Sequence, residues 1–400
     1  MKLLFLAPQP FFQERGTPIA VRLALQVLTD RLQLRSGADT IDFLTYNEGQ
    51  EVSLPGVTQY RIPSPSWLKG IGPGISLKKL LCDLILLVSA LRLVHKNRAA
   101  KYDLVHAVEE SAFIAWLIKR IYAIPFIYDM DSSLSLQLTE KWRLLKPLAP
   151  ILEWFERQVV KESVAVVPVC DSLAVIADRH GSKFTSVLSD ISLLKDDARV
   201  GTSDLREELS LPRDTLLLLY IGNLERYQGI DLLLESLALC KEKEHLSRLI
   251  VIGGRDDHVK IYTEKAAALG LDGRAFFLGP RPVGELDNYI HQADLLISPR
   301  TLGNNTPMKI YSYLHAGKAV LATRLPTHTQ VLTPEIAMLA EPTPAAFSAG
   351  MLALINDQQL RQRLGSAAKK LAEERYTFDR FKERLNYIYD NVTGELLSQN

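Results

Sequence analysis

The chain has 400 residues, enough for two ordinary domains or, at the upper limit, three. Hydrophobic residues make up 47% and charged residues 23%, which excludes a wholly disordered or fibrous protein. Lys+Arg total 47 against 46 Asp+Glu, a formal charge of +1, so the balance shows no basic footprint for nucleic acid and none is expected as a partner. Cys82, Cys170 and Cys240 lie far apart with no CxxC spacing, which argues against a disulfide scaffold or zinc ribbon and fits a reducing compartment.

In chain order, Leu3–Ala7 is a five-residue apolar run stopped by Pro8, Gln9 and Pro10. It falls short of the ~7–15 residues of a secretion signal and is expected to be a buried strand. Thr40–Tyr46, Leu104–Ala107, Phe126–Asp129 and Ala165–Val169 read as further strands, with helical patterns at Ile19–Leu32, Ala112–Ile121 and Ile151–Lys161. Leu80–Val94 is apolar nearly all round but is interrupted by Asp83 and Arg92, and a spanning helix needs roughly 20 mostly apolar residues. No transmembrane segment is expected, and the chain is placed in the cytoplasm. With Lys78, Lys79, Arg92, His95, Lys96 and Arg98 beside it, the stretch 78–98 suits either burial in the first domain or peripheral contact with the inner face of a membrane.

A second series of strands is expected at Leu216–Ile221, Leu249–Ile252, Ala275–Leu278, Leu295–Ser298 and Ala319–Thr323. Helices fall between them at Ile230–Glu242, Val259–Leu269, Gly284–Gln292 and Lys309–His315. Ser189–Pro212 is polar and reads as a linker, and the sequence turns helical after Ala346, with a break at Tyr376-Thr377. Alternating strands and helices imply an α/β fold of two Rossmann-like doubly wound domains facing across a cleft, with ligands at the carboxyl ends of the strands. The first domain is expected over 1–192 and the second over 205–376, with a terminal helix, 377–400, packing back on the first.

Neither Gly16 nor Gly222 lies in a GxGxxG pattern, so a dinucleotide cofactor is poorly supported. Gly16 and Thr17 precede a helix and suit either an anionic oxygen or a tight turn. In SPRTLGNNTPMKIYSYLHAGKAVLAT (298–323), Arg300 follows a strand, and Asn304, Asn305, Thr306 and Pro307 are expected to open a helix with Pro in its first turn. Lys309 and Ser312 share a face of that helix. Arg300 and Lys309 then make either a diphosphate cradle or two solvated cations on a capped helix. Asp129-Met130-Asp131 can hold a divalent cation, bind acceptor hydroxyls, or, through Asp131 or Ser132, cap the next helix. The cleft role without metal is preferred.

TPMKIYSYLHAGKAVLAT resembles the donor-site segment of glycosyltransferase family 4, the group 1 glycosyl transferases. YIGNLERYQGIDLLLESL, LIVIGG, FFLGPRPVGELDNYIHQADLLISP and the N-terminal ERGTPIAVRLALQVL extend the resemblance over nearly the whole chain in the family's order. The resemblance implies the two-domain GT-B architecture and a nucleotide-sugar donor held by the C-terminal domain. It also implies retention at the anomeric carbon and no metal or other cofactor. Donor contacts are expected from Gly16, Thr17, Gly222, Asn223, Arg226, Gln228, Gly279, Arg300, Asn304, Asn305, Thr306, Pro307, Lys309 and Ser312. The sequence departs from the family where its two site glutamates become Asn304 and Ser312, and where its phosphate-binding Arg and Lys become Asn223 and Gln228. His106 matches the first His of the family's D-V-V-H-x-H and Val108 replaces the second. His106, which alone more often marks a structural residue, and Glu109 are the catalytic candidates, with Asp129 and Asp131 on the acceptor side. The expected activity is transfer of a hexose to a glycan or lipid-linked glycan, in polysaccharide biosynthesis. The alternatives are a non-catalytic relative that binds a sugar or a partner protein, and another GT-B enzyme such as an epimerase or phosphorylase.

Overall fold

The computed structural model describes residues 1–13, 16–35, 39–72, 76–141, 143–194, 204–240 and 247–398. It divides into two compact units, Met1–Ser189 with Phe381–Asn400, and Asp190–Arg380. The motif residues Glu14 and Arg15, the expected helix end Glu242 and linker residues 195–203 lie outside the described residues.

The first unit runs β1 (Lys2–Ala7), α1 (Gly16–Arg35), β2 (Thr40–Thr45), β3 (Val57–Arg61), α2 (Leu77–Lys96), β4 (Leu104–Val108), α3 (Ser111–Tyr122), β5 (Phe126–Met130), α4 (Leu134–Lys141), α5 (Ala149–Glu162), β6 (Ala165–Pro168) and α6 (Asp171–Arg179). Its sheet has the order β3-β2-β1-β4-β5-β6, and every pairing is parallel. Parallel strands covered on both faces lose all contact with water, which is why Leu3–Ala7 reads as an unbroken apolar run. The edge strand β3 alternates half-buried and exposed residues and has no such run.

In α2 one face is buried and the other exposed. Cys82, Leu86, Ala90, Leu93 and Val94 pack into the core, while Leu77, Leu84 and Val88 are 82%, 59% and 45% exposed.

The second unit runs α7 (Leu205–Glu208), β7 (Leu216–Ile221), α8 (Ile230–Leu239), β8 (Ser247–Ile252), α9 (Asp256–Ala268), β9 (Ala275–Gly279), α10 (Leu286–Gln292), β10 (Leu295–Ser298), α11 (Lys309–His315), β11 (Ala319–Thr323), α12 (Pro326–Thr329), β12 (Met338–Ala340), α13 (Pro344–Asn356) and α14 (Gln358–Arg375). The sheet order is β12-β11-β10-β7-β8-β9, again parallel. The stretch expected as linker is structured in part: α7 falls inside it, its Leu205 is buried in the second unit's core, and Leu194, Leu209 and Leu211 pack against the same cluster.

The last helix, α15 (Phe378–Ser398), places Leu385, Ile388, Tyr389 and Val392 in buried positions. Arg31 Nη2 to Asp390 Oδ1 (2.7 Å) and Lys382 Nζ to Asp30 Oδ2 (2.8 Å) tie it to α1.

Candidate functional site

In the second unit the strand order reverses between β7 and β10. Loops leaving adjacent carboxyl ends part at such a point and open a crevice for a ligand. Gly222 follows β7 with φ +151°, and a Cβ built there would lie 3.0 Å from Lys309 Nζ and 3.1 Å from Tyr220 Oη. Both backbone and space therefore call for glycine.

The loop after β10 is pinned to its neighbours. Arg300 donates from Nε to Leu302 O (2.8 Å), from Nη1 to Asn305 O (3.2 Å) and from Nη2 to Asn305 Oδ1 (3.2 Å). Thr323 Oγ1 donates to Arg300 O (2.6 Å), Thr327 Oγ1 to Asn305 O (2.7 Å) and Gln330 Nε2 to Asn304 O (2.9 Å). Gly303, at φ +121°, lets the guanidinium fold over it, since a Cβ would stand 2.5 Å from Nη2. These bonds hold the backbone through Asn305, and α11 runs from Lys309 with Met308 already helical ahead of it, so Pro307 precedes the helix rather than standing in its first turn. Arg300 spends three N–H groups on its own loop, and burial holds its pKa below the ordinary arginine value.

Lys309 Nζ sits 3.9 Å from the centre of the Tyr220 ring and has no hydrogen-bond partner. Burial, and secondarily the charge of Arg300, hold its pKa well below that of an ordinary lysine. Gln228 Oε1 and Thr306 Oγ1 are likewise buried and unpartnered. Buried polar groups almost always have partners, so three orphans on the loops after β7 and β10 mark these loops as a candidate site for something polar.

The other expected donor residues are less open. Asn223 is exposed and its Oδ1 accepts from Glu225 N (3.2 Å), and Arg226 is exposed. Gly279, at the end of β9, accepts at its carbonyl from Gly253 N (2.7 Å). Ser312 Oγ accepts from Leu193 N (3.1 Å), so the position of the family's second glutamate is bonded to the segment entering the unit. Asn304 is exposed on the loop.

In the first unit the order reverses between β1 and β4. Gly16 and Thr17 open α1, and nothing lies within 4 Å of a Cβ at Gly16, so neither space nor positive φ requires glycine there. His106 on β4 is fully buried, stacked on Phe5 with ring centres 4.4 Å apart. Its Nδ1 lies 2.9 Å from Tyr389 Oη and its Nε2 3.2 Å from Asp129 Oδ2. Glu109 takes φ +50°, rare for a residue with a side chain, and donates its N–H to Asp129 O (2.9 Å). Asp131 is half-buried.

Ser133 and Glu156 hold the start of α4. Ser133 Oγ accepts from Leu136 N (3.5 Å), while the buried Glu156 accepts from Leu134 N (3.0 Å), Ser133 Oγ (2.9 Å) and Ser135 Oγ (2.5 Å). A carboxylate on α5 outcompetes the local side chains for the helix start.

Beside these, Lys79 pairs with Glu110 and donates to Pro8 O (3.1 Å), and Tyr46 Oη donates to Asp83. Burial pushes the Asp83 carboxyl up against the opposing pull of Lys79 and Tyr46. Asp83 was signalled by its place in an apolar stretch. Tyr220, Glu156 and Tyr389 carried no local signal, because their roles come from elements far apart in sequence.

Comparison with known proteins agrees with this geometry. Residues 202–371 match the family described as glycosyl transferases group 1. D-inositol 3-phosphate glycosyltransferase of Corynebacterium glutamicum is 23% identical over 344 residues, covering 80% of this chain and 81% of that protein. Sucrose-phosphate synthase from Thermosynechococcus elongatus superposes with a TM-score of 0.77 at 18% identity, covering 98% of this chain and 99% of that one. Anabaena Alr3699/HepE, solved in complex with UDP-glucose, gives 0.74 at 16%, covering 98% and 100%. The matched residues, which contain the whole β7–β10 crevice, are similar to the group 1 glycosyl transferases, and the two parallel sheets of the chain have the GT-B fold of these structures.

Proposed function

We propose that this chain moves a sugar from a nucleoside-diphosphate sugar to a hydroxyl of a glycan or lipid-linked glycan, with retention at the anomeric carbon and without metal. The observation that carries the donor half is the unpartnered Lys309 Nζ beside Gly222, with Thr306 Oγ1 and Gln228 Oε1 completing an orphan trio on the same two loops. A diphosphate offers the anionic oxygens that a desolvated ammonium and a hydroxyl lack here. In the reaction the acceptor oxygen bonds to the anomeric carbon as that carbon's bond to the phosphate oxygen breaks. The bonding pair leaves with the nucleoside diphosphate, and the hydroxyl proton passes to the departing phosphate oxygen. Attack comes from the face the diphosphate vacates. Lys309 stabilises the charge that grows on the leaving group, which is where a preorganised cation lowers a barrier most. Asp129, Asp131 and Glu109 hold acceptor hydroxyls.

Thermal shift against nucleoside diphosphates and nucleotide sugars, with magnesium and with chelator, tests the donor half. A rise in Tm with one nucleotide, equal in both conditions and lost in Lys309→Ala, supports the reading. No shift at millimolar concentration supports instead a non-catalytic relative, the reading favoured by the neutral Asn223, Gln228, Asn304 and Ser312.

A lipid-linked acceptor is met at a bilayer, and contact of 78–98 with the cytoplasmic face of a membrane belongs to the same proposal. It is supported by the outward stripe Leu77, Leu81, Leu84 and Val88 on α2, with Lys78, Arg92 and Lys96 exposed beside it. No described helix is long and apolar enough to cross a membrane.

A further inference from the structure

The His106 network gives the acceptor side a definite internal order. Asp129 stands near the carboxyl end of β5 with its side chain 17% exposed, whereas the His106 side chain has no exposed surface at all. His106 therefore has no surface with which to meet an acceptor, and Asp129 does. Among the described residues His106 is the side chain that bonds the Asp129 carboxylate. The ionised carboxylate can only accept, so Nε2 carries the imidazole proton. In the neutral ring Nδ1 is then an acceptor, and among the described residues the group facing it is the Tyr389 hydroxyl, which donates. The chain of bonds runs in one direction, from Tyr389 Oη–H to Nδ1 and from Nε2–H to Oδ2.

Each link is braced from outside. Phe5 stacks on the imidazole at an interplanar angle of 10°. Tyr389 is fixed because α15 is tied to α1 through Arg31–Asp390 and Lys382–Asp30, and the Arg31 guanidinium lies 5.9 Å from the tyrosine ring centre. The segment that orders the acceptor carboxylate thus lies 260 residues further along the chain.

We propose that Tyr389 and His106 are positioning residues that hold the Asp129 carboxylate in place to receive a hydroxyl of the acceptor, so that α15 sets the acceptor side of the site. The proposal rests on the transferase reading above. It assigns His106 a role through Asp129 and not contact with substrate. Asp129 orients the acceptor by binding a hydroxyl next to the attacking one, and no proton is transferred to it.

Two measurements on the full chain test this. The first needs no activity: imidazole ¹⁵N spectra of histidine-labelled protein, with the His106 signal assigned by its loss in His106→Gln. The Nε2–H tautomer is expected, with the Nδ1 resonance shifted in Tyr389→Phe. An Nδ1–H tautomer, or a signal unmoved by Tyr389→Phe, overturns the network.

The second is a double-mutant cycle on steady-state transfer. Asp129→Asn, His106→Phe and Tyr389→Phe are each expected to raise the acceptor KM about ten-fold, the effect of one hydrogen bond to a charged group, with donor KM changed less than about two-fold. His106→Gln, which keeps a donor toward Asp129, restores much of the loss. Combined with Asp129→Asn, the other two changes add less than about two-fold, because coupled residues are not additive. Effects that multiply independently, or donor and acceptor KM rising together, show a purely structural role and refute the proposal. A wild-type chain that binds nucleotide but transfers to no acceptor counts against the transferase reading, and the tautomer then decides the network alone.

Discussion

Replacing Lys309 by Met should stabilise the empty protein and cripple the loaded one. Met keeps an apolar stem of similar length, so packing around α11 changes little. What is removed is an ammonium buried beside the Tyr220 ring with no hydrogen-bond partner and with Arg300 near enough to depress its pKa further. An unpaired buried cation costs several kcal/mol, against about 2 kcal/mol returned by a desolvated cation–π contact. The net gain on substitution is about 2 kcal/mol, or about 4–8 °C in Tm for a unit of this size. With a nucleoside diphosphate bound, the sign inverts. The lost charge-assisted bond in a desolvated site is worth about 3 kcal/mol, on the order of a hundred-fold in Kd. Scanning both proteins with and without the best-binding nucleotide reads both terms at once. An unliganded variant that melts lower than wild type, together with an undiminished nucleotide shift, would show that the lysine is an ordinary packed side chain and that the orphan trio is no guide to the donor.

Gly222→Ala combines a left-handed backbone with a Cβ 3.0 Å from Lys309 Nζ, so a loss of about 1–3 kcal/mol in stability is expected together with weakened nucleotide binding, both read by thermal shift. His328, bonded to Ser298 Oγ and Thr323 Oγ1 at 2.9 Å each, has its pKa pushed down to about 3, chiefly by burial. Between there and the ordinary 6.5 the unfolded chain binds the extra proton. Stability is therefore complete above the ordinary value and falls with pH by about 1.4 kcal/mol per unit within that window. Denaturant titrations of wild type and His328→Asn from pH 7 to 4 should diverge in slope, and parallel curves would refute a neutral buried imidazole. For α2, Leu77→Glu with Leu84→Glu should abolish flotation with anionic vesicles while leaving Tm within a few degrees, since both positions are exposed. Unchanged flotation would remove this face from consideration.

The fold was legible wherever burial on both faces left an apolar run. Leu216–Ile221, Leu295–Ser298 and Ala319–Thr323 have the limits the sequence suggests. The edge strand Val57–Arg61 and the three-residue strand Met338–Ala340 were not legible, because one alternates polar and apolar residues and the other is too short to show a pattern. The candidate site divides along the same line. Gly222, Arg300 and Lys309 stand at strand ends or a helix start, where local pattern marks them. Tyr220 lies inside a buried strand, and its hydroxyl reaches Asn223 O at 2.6 Å, a contact indistinguishable in sequence from ordinary core. The direction of Arg300 was equally hidden: only the path of its loop turns its N–H groups inward onto Leu302 and Asn305.

That inward turn bears on the substitutions that set this chain apart from its resemblance. Where the family has charged groups, four positions here are neutral, and the bonds of Ser312 and Asn223 are made within the protein. Ser312 Oγ accepts from Leu193 N and Asn223 Oδ1 from Glu225 N. Arg300 is largely consumed by its own loop. If charge counted alone, the crevice would be a poor anion site, with Arg226 in water and Lys309 its remaining inward cation. Burial changes the weighting, because an ammonium out of water with no partner gains far more from an arriving phosphate than a solvated one does. On the donor-binding proposal, the same desolvation that makes Lys309 a cost in the empty protein makes it the strongest contact that a diphosphate would meet, so one buried lysine would do what several exposed cations do elsewhere.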